Sequence, residues 1–299
     1  MKQRIITCDE RKIMKVLSLF DGISCGMVAL ERAGIPVERY VAYEIDENAI
    51  KISEKNYPQI EHCGDVTTAD FTQYKDFDLL IGGSPCQSLS IVQSKTRKHL
   101  EGKSKLFFEF VRAKQEINPK YFLFENVASM NAESEKIISE LLGVNGTCID
   151  SCDFSAQERQ RIYWTNIPIK QYQKRDLVLR DIMQDESKIP AKYYYDFPLE
   201  NIDLKKQVCA TMIHNNHEMH KRVFNPLFKC HTLTAVCGGN QQKKVYVNGR
   251  ARKLTPIEYE RLQTLPDNYT AGVSDSARYK AIGNGWTVDV IAHILKSLT

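Results

Sequence analysis

The chain has 299 residues, of which 42% are hydrophobic and 26% are charged, and its formal net charge is +4. This composition is typical of a soluble globular protein with a large core, organised as one large domain and a smaller one. No apolar run reaches about eighteen residues, and the N-terminus alternates charges with short apolar pairs. We therefore expect no transmembrane helix and no signal peptide, and a cytosolic location.

The cysteines argue against two classes of small structural site. Nine are present, an odd number without a Cys-x-x-Cys pair, which is not the pattern of a disulfide framework or of a common zinc module. Their spacing relative to nearby histidines is irregular, so we expect polar surface or base contacts rather than a metal site in the region of His214, His217, His220, Cys209, Cys230 and Cys237.

Positive charge is concentrated in one block of the sequence. Residues 171–253 hold fifteen Lys and Arg against eight Asp and Glu, a local charge of +7, so the rest of the chain carries −3. A basic block beside a near-neutral domain favours a surface that contacts a nucleic-acid backbone. Solvated lysines on an ordinary surface would account for part of the same excess.

The N-terminal half alternates short apolar runs with segments of helical periodicity. The predicted strands are Lys15 to Phe20, Tyr40 to Ile45, Ile60 to Cys63, Phe77 to Gly82, Tyr121 to Phe124, Cys148 to Cys152 and Ile162 to Thr165. The predicted helices are Cys25 to Ala33, Glu47 to Asn56, Lys105 to Ile117 and Glu133 to Leu142. Repeated strand-then-helix units predict an α/β fold with a Rossmann-like, doubly wound, mostly parallel sheet.

The pattern changes after Pro168. Residues 170–250 are rich in Lys, Asn, His and Tyr and contain no long amphipathic helix, which predicts a second, smaller, irregular domain. Helical signals return where Thr255, Pro256 and Glu258 supply an N-cap, a first-position proline and a first-turn acid for a helix to about Leu265. A last helix, from Val288 to Leu298, is expected to pack on the sheet.

A cysteine follows the apolar run that ends at Ile81. The chain continues Gly82-Gly83-Ser84-Pro85-Cys86, which places the Cys86 thiol on the loop beyond the carboxyl end of a strand. Open α/β sheets bind their ligands at this edge. The alternative is that Cys86 is one more buried cysteine, acting as a small hydrophobe.

Three more turns place polar groups at the same edge. The segment 20–26, Phe-Asp-Gly-Ile-Ser-Cys-Gly, joins a strand to a helix, and its backbone N–H groups suit an anionic or zwitterionic ligand. Glu44 follows the second strand, where Rossmann-like sheets bind ribose hydroxyls, and Asp65 follows the third, where it could accept a hydrogen bond from an adenine amino group. Either acid alone is more often a helix cap, but the three turns together favour an adenosine pocket.

Two further motifs carry charge to this region. Glu125 follows four apolar residues and is either a cap at the sheet end or a group held close to Cys86. In Gln157-Glu158-Arg159-Gln160-Arg161 the two arginines project from the same side of an extended chain. Paired arginines are typical of a clamp for an anion or a carbonyl oxygen, and a surface salt bridge is the alternative.

In this order the motifs resemble those of the DNA cytosine-5 methyltransferases. The matching motifs are Phe-Asp-Gly-x-x-x-Gly (20–26), Glu44, Asp65, Gly-Gly-Ser-Pro-Cys-Gln (82–87), Glu-Asn-Val (125–127), Gln-x-Arg-x-Arg (157–161), Leu254-Thr255, Arg261-Leu262-Gln263 and Ala-Ile-Gly-Asn-Gly (281–285). The resemblance covers residues 15–168 and about 252–299. Trp164 to Pro168 and Gly285-Trp286 resemble the animal de novo branch, and small bacterial and phage members are the expected source.

The resemblance implies an enzyme that methylates carbon 5 of a flipped-out cytosine in duplex DNA, with S-adenosyl-L-methionine as cofactor and methyl donor. It implies a covalent bond from Cys86 to carbon 6, Glu125 acting at N3 of the ring, and Arg159 and Arg161 holding the O2 carbonyl and the active-site loop. The residues implied to bind the cofactor are Phe20, Asp21, Gly22, Ile23, Ser24, Cys25, Glu44, Ile45, Asp65, Val66, Pro85, Asn284, Gly285 and Trp286. The residues expected to bind DNA are Ser88, Lys95, Arg97, Lys98, Lys243, Lys244, Arg250 and Arg252, the last four through phosphates.

On this reading the chain divides into four segments. They are an N-terminal extension (1–14), a catalytic and cofactor-binding domain (15–169), a target-recognition domain (170–251) and a C-terminal segment that returns to the catalytic domain (252–299). We expect a cytoplasmic, prokaryotic or phage-encoded enzyme that acts on double-stranded DNA as a monomer, without a metal or a membrane, and a cognate restriction endonuclease is left open as a partner.

Three alternatives remain at this point. The first is a cytosine-5 methyltransferase that acts on tRNA, since one branch of the fold does so. The second is a non-catalytic nucleic-acid-binding relative, which the presence of Cys86, Glu125 and the two arginines disfavours. The third is a nicotinamide oxidoreductase, which would leave the Pro-Cys-Gln motif and the basic block unexplained.

Overall fold

The computed structural model describes residues 13–85, 105–213 and 217–299. Within them the strands are β1 (Met14–Leu19), β2 (Val37–Tyr43), β3 (Glu61–His62), β4 (Leu79–Gly82), β5 (Tyr121–Val127), β6 (Thr147–Asp150), β7 (Gln157–Glu158), β8 (Gln160–Thr165), β9 (Leu199–Glu200), β10 (Val208–Met212), β11 (Arg222–Phe224), β12 (Cys230–His231), β13 (Lys244–Val247) and β14 (Arg250–Lys253). The helices are α1 (Cys25–Ala33), α2 (Glu47–Asn56), α3 (Lys105–Ile117), α4 (Ala132–Leu142), α5 (Leu179–Ile182), α6 (Glu218–Lys221), α7 (Pro256–Leu262), α8 (Asp275–Asn284) and α9 (Val288–Leu295).

The large sheet has the strand order β3-β2-β1-β4-β5-β8-β6. The strands from β3 to β5 are parallel, and β8 runs antiparallel to both β5 and β6. This confirms the predicted α/β fold with a mostly parallel sheet. Because the parallel strands share one direction, the turns that follow β1, β2, β4 and β5 meet at one edge of the sheet.

Helices cover both faces of this sheet, and the inner strand β1 contributes side chains to the apolar cluster on each face. Val16 of β1 belongs to the apolar cluster that contains side chains of α1, α2 and α9. The next residue, Leu17, belongs to the cluster that contains side chains of α3 and α4. A strand that is buried on both faces reads as a continuous apolar run, which is why the central strands were predictable from the sequence.

The second region differs from its prediction. It contains a five-stranded sheet of order β14-β13-β11-β10-β9, not irregular chain. Its strands are two to five residues long, which is too short for alternation to stand out in the sequence. The sheet also shares a core with the C-terminal helices, because Phe224 and Val245 cluster with Tyr259 and Ile282. Strand β14 crosses the predicted boundary between residues 251 and 252.

A buried ionic network joins this sheet to α7. The Arg252 guanidinium is fully buried and donates to both carboxylate oxygens of Glu258, each at 2.8 Å, and to Glu186 at 2.6 Å. Glu258 also accepts the backbone N–H of Thr255, which completes a capping box at the start of α7. The expected contact between Arg252 and DNA phosphate is therefore wrong, because this side chain has no exposed surface and its donors are used inside the protein.

We expect Arg252→Met to lower the free energy of unfolding by about 3–5 kcal/mol, because it leaves the buried Glu258 without its cation. The matched control is Arg250→Gln, which removes an exposed ion pair with Asp196 and should cost less than about 1 kcal/mol. Urea denaturation followed by fluorescence measures both values. Equal stabilities for the two variants would contradict a structural role of Arg252.

Candidate active site

The carboxylate of Asp21 holds the turn between β1 and α1 in place by hydrogen bonds. Asp21 accepts hydrogen bonds from the hydroxyls of Ser18 at 2.6 Å, Tyr40 at 2.7 Å and Ser24 at 2.5 Å. Three residues of the turn have positive φ angles: Phe20 (59°), Gly22 (61°) and Ser24 (57°). The Asp21 carboxylate thus braces a tightly wound turn whose backbone is presented at the sheet edge. The contribution of Tyr40 was not predicted, because its position depends on strand pairing.

The loop after β2 is tied to the same turn. Glu44 Oε2 accepts the backbone N–H of Gly22 at 2.8 Å, and its Oε1 accepts those of Ile45 and Asp46, both at 2.8 Å. Ile45 is 72% exposed, although it is a large apolar residue. Glu44 therefore fixes the distance between the turn after β1 and the loop after β2. The apolar side chain of Ile45 beside it stays exposed to solvent.

The third acid lies after β3. Asp65 Oδ1 accepts the backbone N–H and the hydroxyl of Thr67, at 2.9 and 2.8 Å, and so caps the short helix that follows. These hydrogen bonds lower the pKa of the Asp65 carboxyl. Among the other residues predicted at this pocket, Ile23 and Val66 are buried and Pro85 is exposed.

The centre of the site is the carboxylate of Glu125 on β5. It is 8% exposed, and its two oxygens have different partners. Oε1 forms an ion pair with Nε of Arg161 at 2.9 Å, and Oε2 accepts the indole N–H of Trp286 at 3.0 Å. Arg161 reaches Glu125 because β8 pairs antiparallel with β5, which places Arg161 opposite Val127. Both carboxylate oxygens are thereby fixed in direction.

The chain that leads to Cys86 passes directly beside this carboxylate. A Cβ at Gly83 would lie 2.9 Å from Glu125 Oε2 and 3.1 Å from Trp286 Nε1, so no side chain fits there. One residue later, Asn126 Nδ2 donates to the carbonyl oxygen of Ser84 at 3.1 Å and to its hydroxyl at 3.4 Å. The Glu-Asn-Val motif therefore supplies both the carboxylate and the anchor for the turn that precedes residue 86.

Five of the predicted site residues lie outside the described residues. They are the nucleophile candidate Cys86 and the DNA-binding candidates Ser88, Lys95, Arg97 and Lys98. Their roles stay predictions.

Arg159 has a different position from the one expected. It is 4% exposed, and it donates to the carbonyl oxygens of Leu233 at 2.7 Å, Gly283 at 3.1 Å and Gly285 at 3.0 Å. Burial and the charge of Arg161 lower the pKa of Arg159 to about 10. With both terminal nitrogens bound to backbone carbonyls, Arg159 holds chain segments together and does not face an open site. Of the two arginines, only Arg161 contacts Glu125.

The C-terminal motif closes the site from the side of α1. Trp286 lies against Gly26 and donates to Glu125, while a Cβ at Gly285 would lie 3.2 Å from the buried thiol of Cys25. Burial raises the pKa of that thiol to about 12. Asn284, by contrast, is exposed. Trp286 was predicted as a cofactor contact, and the structure adds its hydrogen bond to Glu125.

The lysines predicted to bind phosphate are also more buried than expected. Lys244 has no exposed surface, so the predicted phosphate contact is wrong for this residue. Burial and the charge of Lys243 lower the pKa of Lys244 from its usual value, whereas the three backbone carbonyl oxygens that accept from its Nζ favour the charged form. Lys243 is half-buried with its Nζ 5.7 Å from the ring of Phe224, and Arg250 is exposed. A count of charges along the sequence does not distinguish a buried, a half-buried and an exposed cation.

Two kinds of feature are missing from the described ranges. No helix in residues 13–85, 105–213 or 217–299 is both long enough and apolar enough to cross a membrane. Over the same part of the chain, no group of three or more His, Cys, Asp and Glu side chains is placed to hold a metal ion. His214 of the histidine and cysteine region lies outside it.

One family model matches almost the whole chain. It is that of the C-5 cytosine-specific DNA methylases, and the match spans residues 14–299. The chain belongs to this family. The resemblance drawn from the motifs is thereby confirmed, and with it the class of enzyme, a DNA cytosine-5 methyltransferase.

Individual relatives agree with the family match. The chain is 29% identical to the type II methyltransferase M.Eco47II of Escherichia coli over 343 residues, which cover 97% of this chain and 81% of the relative. It is 27% identical to M.HhaI of Haemophilus parahaemolyticus over 310 residues, covering 94% and 93%. The fold is similar to that of the Entamoeba histolytica methyltransferase EhMeth, with a TM-score of 0.74 and 17% identity over 96% of this chain and 98% of the other.

We expect Trp286→Phe to lower kcat at least about 10-fold, because the ring is kept while the N–H that orients Glu125 is lost, and a hydrogen bond to a charged group contributes about 1.5–3 kcal/mol. The only other tryptophan, Trp164, donates to Ser139 away from the site, so Trp164→Phe is the matched control and should retain kcat. Single-turnover methylation assays compare the two. Equal losses would assign the effect to general destabilisation.

Proposed function

We propose that this enzyme transfers the methyl group of S-adenosyl-L-methionine to carbon 5 of a cytosine flipped out of duplex DNA, with Cys86 as the covalent nucleophile. The observation that carries the proposal is the Glu125 carboxylate, held by Arg161 and Trp286 directly beside the turn that leads to Cys86. A carboxylate fixed in this way beside Gly83, three residues before Cys86 in the sequence, suits a base whose ring must be hydrogen-bonded while a nucleophile attacks it.

The residues present fit S-adenosyl-L-methionine. The turn after β1 leads directly into the start of α1, and the positive end of a helix suits the carboxylate of the amino-acid part. Glu44 sits where a ribose would bring its hydroxyls, and the exposed side chain of Ile45 offers an apolar surface for the adenine. Asp65 lies at the end of the neighbouring strand, with Oδ2 as an acceptor for the adenine amino group. When bound, S-adenosyl-L-methionine supplies an electrophilic methyl group on a sulfonium centre.

The protein groups act on the cytosine ring. The Cys86 thiolate adds to carbon 6, the electron pair of the C5–C6 double bond makes carbon 5 nucleophilic, and N3 takes up a proton. Glu125 passes that proton from solvent to N3, since a carboxylate paired with Arg161 has no proton of its own, and N3 gives the proton up again when the adduct breaks down. Arg161 fixes the direction of the Glu125 carboxylate and brings a positive charge beside the ring. After methylation, carbon 5 loses its hydrogen as a proton, the bond from sulfur to carbon 6 breaks, and the thiolate of Cys86 is restored.

Five of the other cysteines are disfavoured as nucleophiles by their surroundings. A thiol must ionise to act as a nucleophile. Burial raises the pKa of Cys25 and Cys230 to about 12, and burial with the charge of Asp150 does the same for Cys152. Burial also raises the pKa of Cys148 and Cys209. These five thiols are poor nucleophiles at neutral pH.

The proposed partner is double-stranded DNA. Carbon 6 of a stacked cytosine is inaccessible, so the base must leave the helix at a cost of a few kcal/mol. The basic segment with Ser88, Lys95, Arg97 and Lys98 follows Cys86 in the sequence and is proposed to contact the DNA around the flipped base. Arg250 of β14 and Lys243, which directly precedes β13, are the remaining phosphate-binding candidates.

Glu44→Ala should weaken the binding of S-adenosyl-L-methionine by about 1.5–3 kcal/mol, because it removes a charged acceptor from the proposed ribose site. Titration calorimetry of the full chain with S-adenosyl-L-methionine measures the change. Glu47→Ala removes an exposed carboxylate from the next turn and should bind as the native protein does. Unchanged affinity in Glu44→Ala would place the ribose elsewhere.

The covalent step is tested with 5-fluorocytosine, whose fluorine cannot leave carbon 5 as a cation. Bisulfite sequencing of a plasmid from expressing cells first locates the methylated cytosine. Duplex DNA with 5-fluorocytosine at that position should then form a denaturation-resistant adduct only when S-adenosyl-L-methionine is present. Cys86→Ala should abolish the adduct, whereas Cys63→Ala, which removes an exposed cysteine, should retain it.

Two outcomes would overturn parts of this proposal. An adduct that persists in Cys86→Ala, or that maps by peptide sequencing to another cysteine, would remove Cys86 as the nucleophile. Faster methylation of tRNA than of duplex DNA would overturn the proposed substrate but not the proposed covalent mechanism.

A further inference from the structure

Lys244 of β13 occupies an unusual environment for a lysine. It has no exposed surface, and its Nζ donates to three backbone carbonyl oxygens, those of His220 at 2.7 Å, Asn240 at 2.6 Å and Gln242 at 2.9 Å. An ammonium group has three N–H donors, so all of them are used. The ring of Tyr195 lies 5.4 Å from the same nitrogen. The side chain is thus fully committed inside the protein.

The three carbonyls come from two separate segments. Asn240 and Gln242 belong to the loop 238–242, and His220 belongs to α6, about twenty residues earlier in the chain. The loop is tightly wound, with positive φ angles at Gly238 (133°), Gly239 (63°) and Asn240 (61°). The ammonium of Lys244 therefore fixes the shape of loop 238–242 and ties it to the segment 217–221.

The preceding segment of the chain is anchored to the catalytic motifs. Strand β12 pairs with β7, and the backbone N–H of Leu233 donates to Gln157 Oε1 at 2.7 Å. Arg159 donates to the carbonyl oxygen of Leu233, and Gly283 lies against the backbone of Thr234. Loop 238–242 thus begins five residues beyond Leu233, a point held by the Gln-x-Arg-x-Arg motif, and ends two residues before Lys244.

The composition of the loop suits contact with bases. It reads Gly-Gly-Asn-Gln-Gln and carries no charge; Gln241 is exposed and Asn240 is partly exposed, whereas Gln242 is buried. Side-chain amides of Asn and Gln pair with base edges, adenine above all, whereas they give little of the salt-dependent attraction of a phosphate contact. A base-reading loop must hold its backbone still, since each hydrogen bond depends on direction.

We propose that Lys244 is a positioning residue for target recognition, which holds the amide-rich loop 238–242 against the segment 217–221 so that the loop reads bases of the DNA target. This inference rests on the proposed function. It replaces the phosphate contact expected for Lys244, and it assigns discrimination between sequences to a residue that does not touch the DNA.

The test compares methylation of the bisulfite-identified target with that of duplexes changed by one base pair. Lys244→Met removes the ammonium but keeps an apolar stem of similar length, and we expect it to lower the ratio of kcat/KM between target and changed duplexes about 10-fold or more, the range of one bidentate base contact. KM for S-adenosyl-L-methionine and the dependence of DNA binding on salt should stay as in the native enzyme. Lys205→Met, which removes an exposed lysine of the same domain, should leave the ratio unchanged.

A second variant changes the loop and leaves Lys244 in place. Gly238 has a φ of 133°, which L-residues rarely adopt, and a Cβ there would meet nothing closer than Ser276 Oγ at 3.9 Å. Gly238→Ala should therefore fold, distort the loop and lower the same ratio. If Lys244→Met does not fold, this variant decides the question.

The outcomes separate clearly. Uniform weakening on all duplexes with a flatter salt dependence would make Lys244 a phosphate contact and overturn the inference. Full discrimination in Lys244→Met, or in Gly238→Ala, would overturn it as well. Absence of DNA methylation by the native chain would count against the proposed function. Normal methylation by the native enzyme, with discrimination that survives either substitution, would count against this inference alone.

Discussion

The site depends on one hydrogen-bonded carboxylate. One carboxylate oxygen of Glu125 pairs with Arg161, and the other accepts a hydrogen bond from Trp286. The orientation of the carboxylate therefore depends on residues that lie far apart in the chain. Gly83 passes within contact distance of the same group and leads to Cys86. Misplacement of any of these elements would change the direction of the Glu125 carboxylate, because a buried carboxylate takes its orientation from its donors.

Buried amides and one buried guanidinium connect this centre to the rest of the molecule. Gln157 donates to Gln263 at 3.1 Å, and Gln263 donates in turn to the carbonyl oxygen of Gly285 at 3.0 Å, next to Trp286. Arg159 binds the same carbonyl oxygen. The motif that resembles a substrate clamp thus does two things: Arg161 orients the reacting site, and Arg159 with Gln157 holds the second region and the C-terminal segment against it.

The same division appears among the basic residues of the second region. Arg252 and Lys244 are fully buried, the first paired with carboxylates and the second with carbonyl oxygens, whereas Arg250 is exposed on the same hairpin. Burial of a cation is costly unless every donor is satisfied, and both buried residues meet that condition. Part of the local excess of positive charge therefore stabilises the fold, and the part available to DNA is smaller than the count indicates.

The sequence by itself determined what depends on neighbours in the chain. Helices α1, α2 and α3 begin and end where their periodicity predicted, and α7 begins with the predicted cap at Thr255, since these signals act within a few residues. Helix α8 was missed because its apolar residues form no stripe along one face.

Tertiary structure decided which groups meet. The pairing of β8 with β5 brings Arg161 to Glu125, and the packing of the C-terminal segment on α1 brings Trp286 there. Whether a cation such as Lys244 is exposed or buried depends on which carbonyl and carboxylate oxygens of other segments lie near it in the fold. The local sequence pattern does not determine those contacts.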